Sequence, residues 1–285
     1  MTRIADLLAR GQTFSFEFMP PGNDEAVQQL EKTLLELEPL HPSFCSVTYG
    51  AGGSTRDRTH DAVLHIHRNT RLVAMPHITC VGQTRAEVRA VLEGYRDEGI
   101  ENILAVAGDP PKDGKGESEF RFAAELIDLC REVGEFSVGV AAFPEVHPRS
   151  PDRGTDRRHL AEKLRAADFG ITQFFWSAGH YVRMVSELDA LGCTTPVLPS
   201  LFPIMNVATA KRFTATNGAE WPEWLDARLA AAGDDAEAVR RVGVEVATEL
   251  GAELLAGDIP GLHVYTLNRA ASALEIHANL GLAAQ

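Results

Sequence analysis

Glu17 lies in Phe14-Ser15-Phe16-Glu17-Phe18, a stretch that alternates strictly. On a strand, Phe14, Phe16 and Phe18 share one face and Ser15 and Glu17 the other. The flanking sequence carries enough amphipathic helix to cover both faces of a sheet. A buried carboxyl group must be paired, neutralised or used. An ion pair with an Arg from another strand is the structural alternative. Proton donation near neutral pH is the chemical one. Further polar groups end other apolar runs: Thr48, His77, Asp109, Glu145 with His147, Gln173, and Tyr265 with Asn268 and Arg269. Asp109 and Gln173 offer an acceptor and an amide, suited to the polar edge of a planar heterocycle, and Arg269 suits a carboxylate tail. Each also has a structural reading. His77 could bond a core carbonyl, Gln173 could cap a buried peptide, Asp109 before Pro110 could make a turn, and Tyr265 could be a core aromatic. No Ser or Cys carries a local nucleophile signature, and no metal-ligand spacing is present.

The elements that must position these groups alternate. Strands are expected at 14–18, 44–48, 72–79, 102–106, 137–143, 170–175, 196–198 and 262–265, each followed by a helical stripe. Asn23 reads as a helix N-cap, and Thr84 with Glu87 as a capping box. Eight short strands alternating with helices indicate an α/β fold, a single (β/α)8 TIM barrel over 1–285 with a helical insertion near 221–256. A doubly wound open sheet is the alternative, weakened by the lack of G-x-G-x-x-G after the first strand. In a barrel, the strand ends named above form the mouth, where active sites are built.

Composition narrows the partners. A net charge of −13 over 285 residues excludes general electrostatic binding of nucleic acid. No apolar run reaches the length of a membrane span, and Met1–Arg10 has neither an apolar signal core nor a cleavage site. Cys45, Cys80, Cys130 and Cys193 form no CxxC pair, and Cys45, Cys80 and Cys130, which lie within apolar runs, read as core residues of a reducing compartment. The expected location is cytoplasmic. Oligomeric state is not legible; Trp221 and Trp224 suit an interface or a core.

The motifs also resemble a family. Ser15-Phe16-Glu17-Phe18 with Pro20-Pro21, Ser46-Val47-Thr48-Tyr49-Gly50-Ala51 and Arg56-Asp57-Arg58-Thr59 come first. Pro76-His77-Ile78-Thr79-Cys80, Gly108-Asp109, Pro144-Glu145-Val146-His147-Pro148, Ile171-Thr172-Gln173-Phe174-Phe175 and Tyr265-Thr266-Leu267-Asn268-Arg269 follow in order. From Phe14 to Leu280 the chain resembles bacterial methylenetetrahydrofolate reductase. The resemblance implies reduction of 5,10-methylenetetrahydrofolate to 5-methyltetrahydrofolate, with Glu17 as the general acid. It implies that Asp109 and Gln173 bind the pterin, that Thr48 lies near the folate ring, that Tyr265 lines the substrate site and that Arg269 meets the glutamyl tail. His77, Phe143, His147, Asp156 and Lys163 fall at cofactor-site positions.

In that family hydride passes from a nicotinamide through bound FAD. This chain departs from the pattern: Ala107 replaces an Arg, Glu162 a basic residue, His159 an amide, and Phe122 and Phe143 two Tyr. A flavin diphosphate needs cationic or N–H partners. At about 1.5–3 kcal/mol for each lost charge-assisted bond, flavin binding falls by orders of magnitude. The leading expectation is direct hydride transfer from NADH to the folate. The alternative is the FAD-dependent reductase, with Lys112, Lys115 or Arg121 supplying the charge. A non-catalytic folate-binding barrel is the third reading, and Glu17 counts against it, because a binding module has no use for an unpaired buried acid.

Overall fold

The computed structural model describes residues 2–49, 56–108, 119–120 and 123–282. Its strands are β1 (Thr13–Phe18), β2 (Phe44–Val47), β3 (Ala74–Thr79), β4 (Asn102–Val106), β5 (Ser137–Ala142), β6 (Phe169–Thr172), β7 (Val197–Leu198), β8 (Ser200–Leu201) and β9 (Gly261–Tyr265). All pairings are parallel, in the order β7-β6-β5-β4-β3-β2-β1-β9-β8. β7 and β8 are consecutive halves of one strand, separated by Pro199. The first half pairs with β6 and the second with β9, so the sheet closes on itself. The barrel expected from the sequence is therefore present.

The seventh strand runs further than its expected end at Leu198. Pro199 has no N–H for the ladder, but its carbonyl still accepts from His263 N at 3.0 Å. The proline interrupts the strand without ending it, and pairing changes partner across the break.

The helices are α1 (Ile4–Arg10), α2 (Asp24–Leu37), α3 (Arg56–Asn69), α4 (Arg85–Asp97), α5 (Ala123–Val133), α6 (Arg153–Ala166), α7 (Ala178–Ala190), α8 (Val207–Thr216), α9 (Glu223–Ala230), α10 (Ala236–Leu255) and α11 (Ala270–Asn279). Local chemistry starts several of them. Asn23 Oδ1 accepts from Ala26 N, and Thr84 and Glu87 form the capping box. Asp152, Asn206 and Asp235 cap α6, α8 and α10. Each such cap satisfies amides that the helix leaves open.

Alternation on β1 works as the sequence implies. Phe14, Phe16 and Phe18 pack outward into the layer that includes Leu30 and Leu34 of α2 and Ile276 of α11. Inside the barrel, Phe44, Met75, Leu104, Phe169, Ile171 and Leu198 form a separate apolar layer, closed at the bottom by Ile4 of α1. Barrel side chains hold α1 in place: Asn102 Oδ1 accepts from Ile4 N (2.8 Å) and Ser137 Oγ from Ala5 N (3.1 Å). α8, α9 and α10 bury an aromatic cluster with Phe174, Trp176 and Phe202, against which Tyr265 and Trp221 pack. Trp221 meets Trp176 at 5.6 Å between ring centroids, whereas Trp224 is exposed. All four cysteines are buried, and Cys80 Sγ donates to Ala107 O at 3.4 Å. No helix among the described residues is long and apolar enough to cross a membrane.

Gly139 makes the inner layer possible. A Cβ there would lie 2.4 Å from the Phe169 ring and 2.9 Å from Leu104. Gly139→Ala should destabilise the barrel by about 1–3 kcal/mol through overpacking, read as a lower urea midpoint with an unchanged slope.

Candidate active site

Glu17 ends the inward row of β1. Its Cα is in register with Ser46 on β2 and Tyr265 on β9, so both neighbouring strands fix its height in the barrel. The side chain is buried. Its Oε2 lies 3.5 Å from His77 Nε2 and 3.6 Å from His263 Nε2. These are its ion-pair-range contacts among the described residues, and no Arg or Lys is among them. The expected structural alternative, an Arg from another strand, is not what surrounds Glu17.

Both imidazoles have a definite character. Burial pushes the His77 ring down to about 4, against the smaller upward pull of Glu17. His77 is therefore neutral at pH 7, and its Nε2 is buried without a hydrogen-bond partner among the described residues. The His263 ring is held at both nitrogens. Ser15 Oγ donates to Leu262 O (3.3 Å), so its oxygen is left to accept from His263 Nδ1 at 2.8 Å. That places the ring proton on Nδ1. Nε2 then accepts from Ser46 Oγ (3.2 Å) and lies 3.6 Å from Glu17 Oε2. The distances to Glu17 are slightly longer than hydrogen bonds, as is common for catalytic contacts before substrate tightens them.

A cavity of about 300 Å³ opens above this group at the C-terminal ends of the strands. Glu17, Thr48, His77, Phe143, His147, Lys163, Gln173 and Tyr265 line it, so most of the side chains expected from the sequence do converge. Gln173 is set for recognition. Its Oε1 accepts from Tyr265 Oη (2.9 Å) and Phe174 N (3.1 Å), and its Nε2 donates to Asn217 Oδ1 (3.2 Å). A primary amide has two N–H donors, so one remains for a ligand. Burial, with Glu17 nearby, keeps the Tyr265 phenol far above its usual range, so it acts as a donor.

The opposite wall combines apolar surface with cations. The Phe143 and His147 rings meet edge to face at 4.5 Å. Lys163 Nζ donates to Ala141 O at 2.5 Å; burial lowers its pKa to about 8, opposed by Asp156. Ala107, Gly108, Tyr49 and Arg149 complete this side. Gly108 has a φ of 78°, and a Cβ would stand 3.0 Å from both Thr79 and Val81, so glycine is required there. Lys163 and Arg149 for phosphate, the two rings, and the open backbone at Gly108 fit an anionic dinucleotide.

Two expected residues stand elsewhere. Asp156 is buried behind the wall, where Oδ1 accepts from His147 N (3.2 Å) and Ser150 Oγ (2.8 Å) and Oδ2 pairs with Arg157 at 2.5 Å. It shapes the β5–α6 loop instead of facing the cavity. Arg269 is exposed and does not line the cavity. Asp109 lies outside the described residues, as do Phe122, Lys112, Lys115 and Arg121. Glu162 is exposed and absent from the cavity wall, so the repulsive carboxylate expected against a diphosphate is directed elsewhere.

His263, Asn217, Arg149 and Arg157 were not foreseen. His263 had a usable signal, because it stands two residues before Tyr265 and must share its face. Arg157 donates to the carbonyls of Phe143 (3.1 Å), Pro144 (2.6 Å) and Glu145 (2.6 Å), a role that no local pattern announces.

A buried acid flanked by two imidazoles, at the strand ends of a closed parallel barrel, places the protein among the barrel enzymes that work at this face. The comparisons narrow the class. The sequence pattern of methylenetetrahydrofolate reductase matches residues 2–281. The 5,10-methylenetetrahydrofolate reductase of Salmonella typhimurium is 37% identical over 270 residues, covering 94% of this chain and 90% of that protein. Methylenetetrahydrofolate reductase (NADH) 1 of Arabidopsis thaliana is 34% identical over 297 residues, and the match covers 50% of that longer protein. The chain belongs to the methylenetetrahydrofolate reductase family. A solved Clostridium thermocellum protein, described as binding two copies of 5-methyl-5,6,7,8-tetrahydrofolic acid, has the same fold, with a TM-score of 0.72, 15% identity and 97% of each chain covered.

The His77 ring has a consequence for stability. The unfolded ring takes a proton near pH 6.5, but the folded ring does so only near 4. Between these values the unfolded state binds more protons, so stability should fall as pH drops through this window. Urea titrations at pH 7, 5.5 and 4.5 should show a smaller fall for His77→Gln than for the parent.

Proposed function

We propose that this protein reduces 5,10-methylenetetrahydrofolate to 5-methyltetrahydrofolate with NADH as the hydride source, and that Glu17 is the general acid. The observation that carries the reading is the buried Glu17 carboxyl, which opens into the cavity with the neutral His77 ring and the His263 ring for neighbours and no Arg or Lys paired to it among the described residues. The fixed Gln173–Tyr265 pair lines the same cavity.

Each group then has a task. Gln173 offers its unused N–H to the pterin, with Asp109 as its partner in recognition and Thr48 beside the ring. Glu17 protonates the bridging nitrogen. The five-membered ring opens and leaves an iminium, whose carbon accepts hydride. Phe143, His147, Lys163 and Arg149 form the wall against which the hydride donor lies. Arg269, outside the cavity, is assigned to the glutamyl tail of a bound folate.

Direct transfer from NADH is the leading version, because Ala107 leaves this wall without the family's arginine. The flavin-dependent version has an observation of its own: Glu162 is turned away from the wall and Arg149 lines it. A bound FAD would relay hydride from NADH, held by Lys163, His147 and Arg149.

An absorbance spectrum of the purified protein, taken before and after denaturation and with added FAD, separates the two. Direct transfer gives no flavin bands and no FAD uptake, with NADH oxidised only when methylenetetrahydrofolate is added. Stoichiometric flavin released on denaturation, with bands that NADH bleaches, overturns direct transfer and leaves the flavin-dependent reductase. No NADH oxidation under either condition overturns the assigned reaction.

A further inference from the structure

Two successive residues without glycine's freedom, Leu267 (φ 49°) and Asn268 (φ 56°), adopt the left-handed conformation just after β9. Such conformations persist where the surroundings over-determine them, and they cluster at functional sites. The contacts of this loop lead to the end of β1. Asn268 Oδ1 accepts from Met19 N and its Nδ2 donates to Met19 O, both at 2.8 Å. One side-chain amide thus pairs with both backbone groups of one residue, in the manner of a ladder step continued past the strand. Thr266 N (3.0 Å) and Thr266 Oγ1 (2.7 Å) both donate to Glu17 O, and Asn268 N donates to Thr266 Oγ1 at 3.1 Å. From the other side, Gln29 Nε2 of α2 donates to Asn268 O at 3.1 Å, with the Thr33 hydroxyl 2.8 Å from the same oxygen.

We propose that Asn268 is a positioning residue for the acid. It clamps the chain two residues beyond Glu17 while Thr266 clamps Glu17 itself, so the strand end that aims the carboxyl group is fixed from both sides. Packing does not do this at Met19, whose residue is 43% exposed. The chemistry explains the residue type. Matching one N–H and one C=O requires a donor and an acceptor on one short planar group, and asparagine tolerates positive φ better than other side chains. Aspartate would keep the acceptor alone, and glycine would keep the backbone while losing the clamp. The proposal rests on Glu17 being the proton donor.

Asn268→Gly tests it, because glycine accepts the left-handed backbone and the fold is retained. The expected result is a thermal midpoint within a few degrees of the parent, kcat lower by about 10- to 100-fold, as small misplacements of reacting groups produce, and a folate KM changed by less than about threefold. Asn268→Asp should fall between the parent and Asn268→Gly, and it is read by the same criteria if the glycine variant does not fold. In a Glu17→Gln background, Asn268→Gly should leave the residual rate unchanged, since the group it aims is gone. An unchanged kcat overturns the proposal. A raised KM with intact kcat also overturns it and assigns the loop to binding beside Arg269. An equal loss in both backgrounds overturns it as general damage. If Glu17→Gln itself turns over at the parent rate, the acid assignment fails and the clamp's purpose with it. If Glu17→Gln is inactive and Asn268→Gly is unaffected, only the clamp fails.

Discussion

A carboxyl group on the inner face of a closed barrel has few places to go, and the upper half of this structure is arranged around that constraint. The three outward phenylalanines of β1 commit Glu17 to the interior, because a one-residue slip would turn them into the barrel and turn Ser15 and Glu17 out against the apolar helix layer. Once inside, Glu17 finds two imidazoles instead of a cation. His77 stays neutral because it is buried, and the His263 ring is locked by Ser15 and Ser46. Replacing a hydrogen-bonded core residue such as Ser15 or Ser46 would leave a buried ring nitrogen unmatched, which costs about 1–3 kcal/mol.

The same closure ties the site to distant parts of the chain. β9 pairs with β1 on one side and, through β8, accommodates the Pro199 break on the other. The aromatic cluster under α8, α9 and α10 presses on Tyr265, which in turn fixes Gln173. Helices α9 and α10 therefore support the cavity without lining it. The left-handed pair after β9 costs about 1–3 kcal/mol per residue, and its contacts with Met19, Glu17 and α2 offset that strain where Glu17 is aimed.

Much of this was legible in the sequence, for a simple reason. Barrel strands are short and buried, so an ionisable residue at a strand's C-terminal end has the mouth as its natural destination. That logic placed Glu17, Thr48, His77, Gln173 and Tyr265 together. It failed where helical geometry decides. Successive residues on α6 are about 100° apart, so Lys163 faces the cavity while Glu162 faces solvent, and a count of charges along the sequence could not separate them. Asp156 shares the side of Lys163 but is taken up by the β5–α6 loop. His263 was hidden in the interior of its strand, one alternation step below the residue that attracted notice. Asn217 and Arg157 act through contacts distant in sequence, with no local signature.

The central claim is that Glu17 supplies a proton and does not simply bind. Glu17→Gln keeps size and hydrogen bonding but removes the transferable proton. Its folate affinity and its turnover should be measured on the same preparation. The account predicts a dissociation constant within about threefold of the parent and a kcat lower by about 10²-fold or more, the usual range for general acid catalysis. Turnover at the parent rate, or loss of folate binding in proportion to loss of rate, would contradict it.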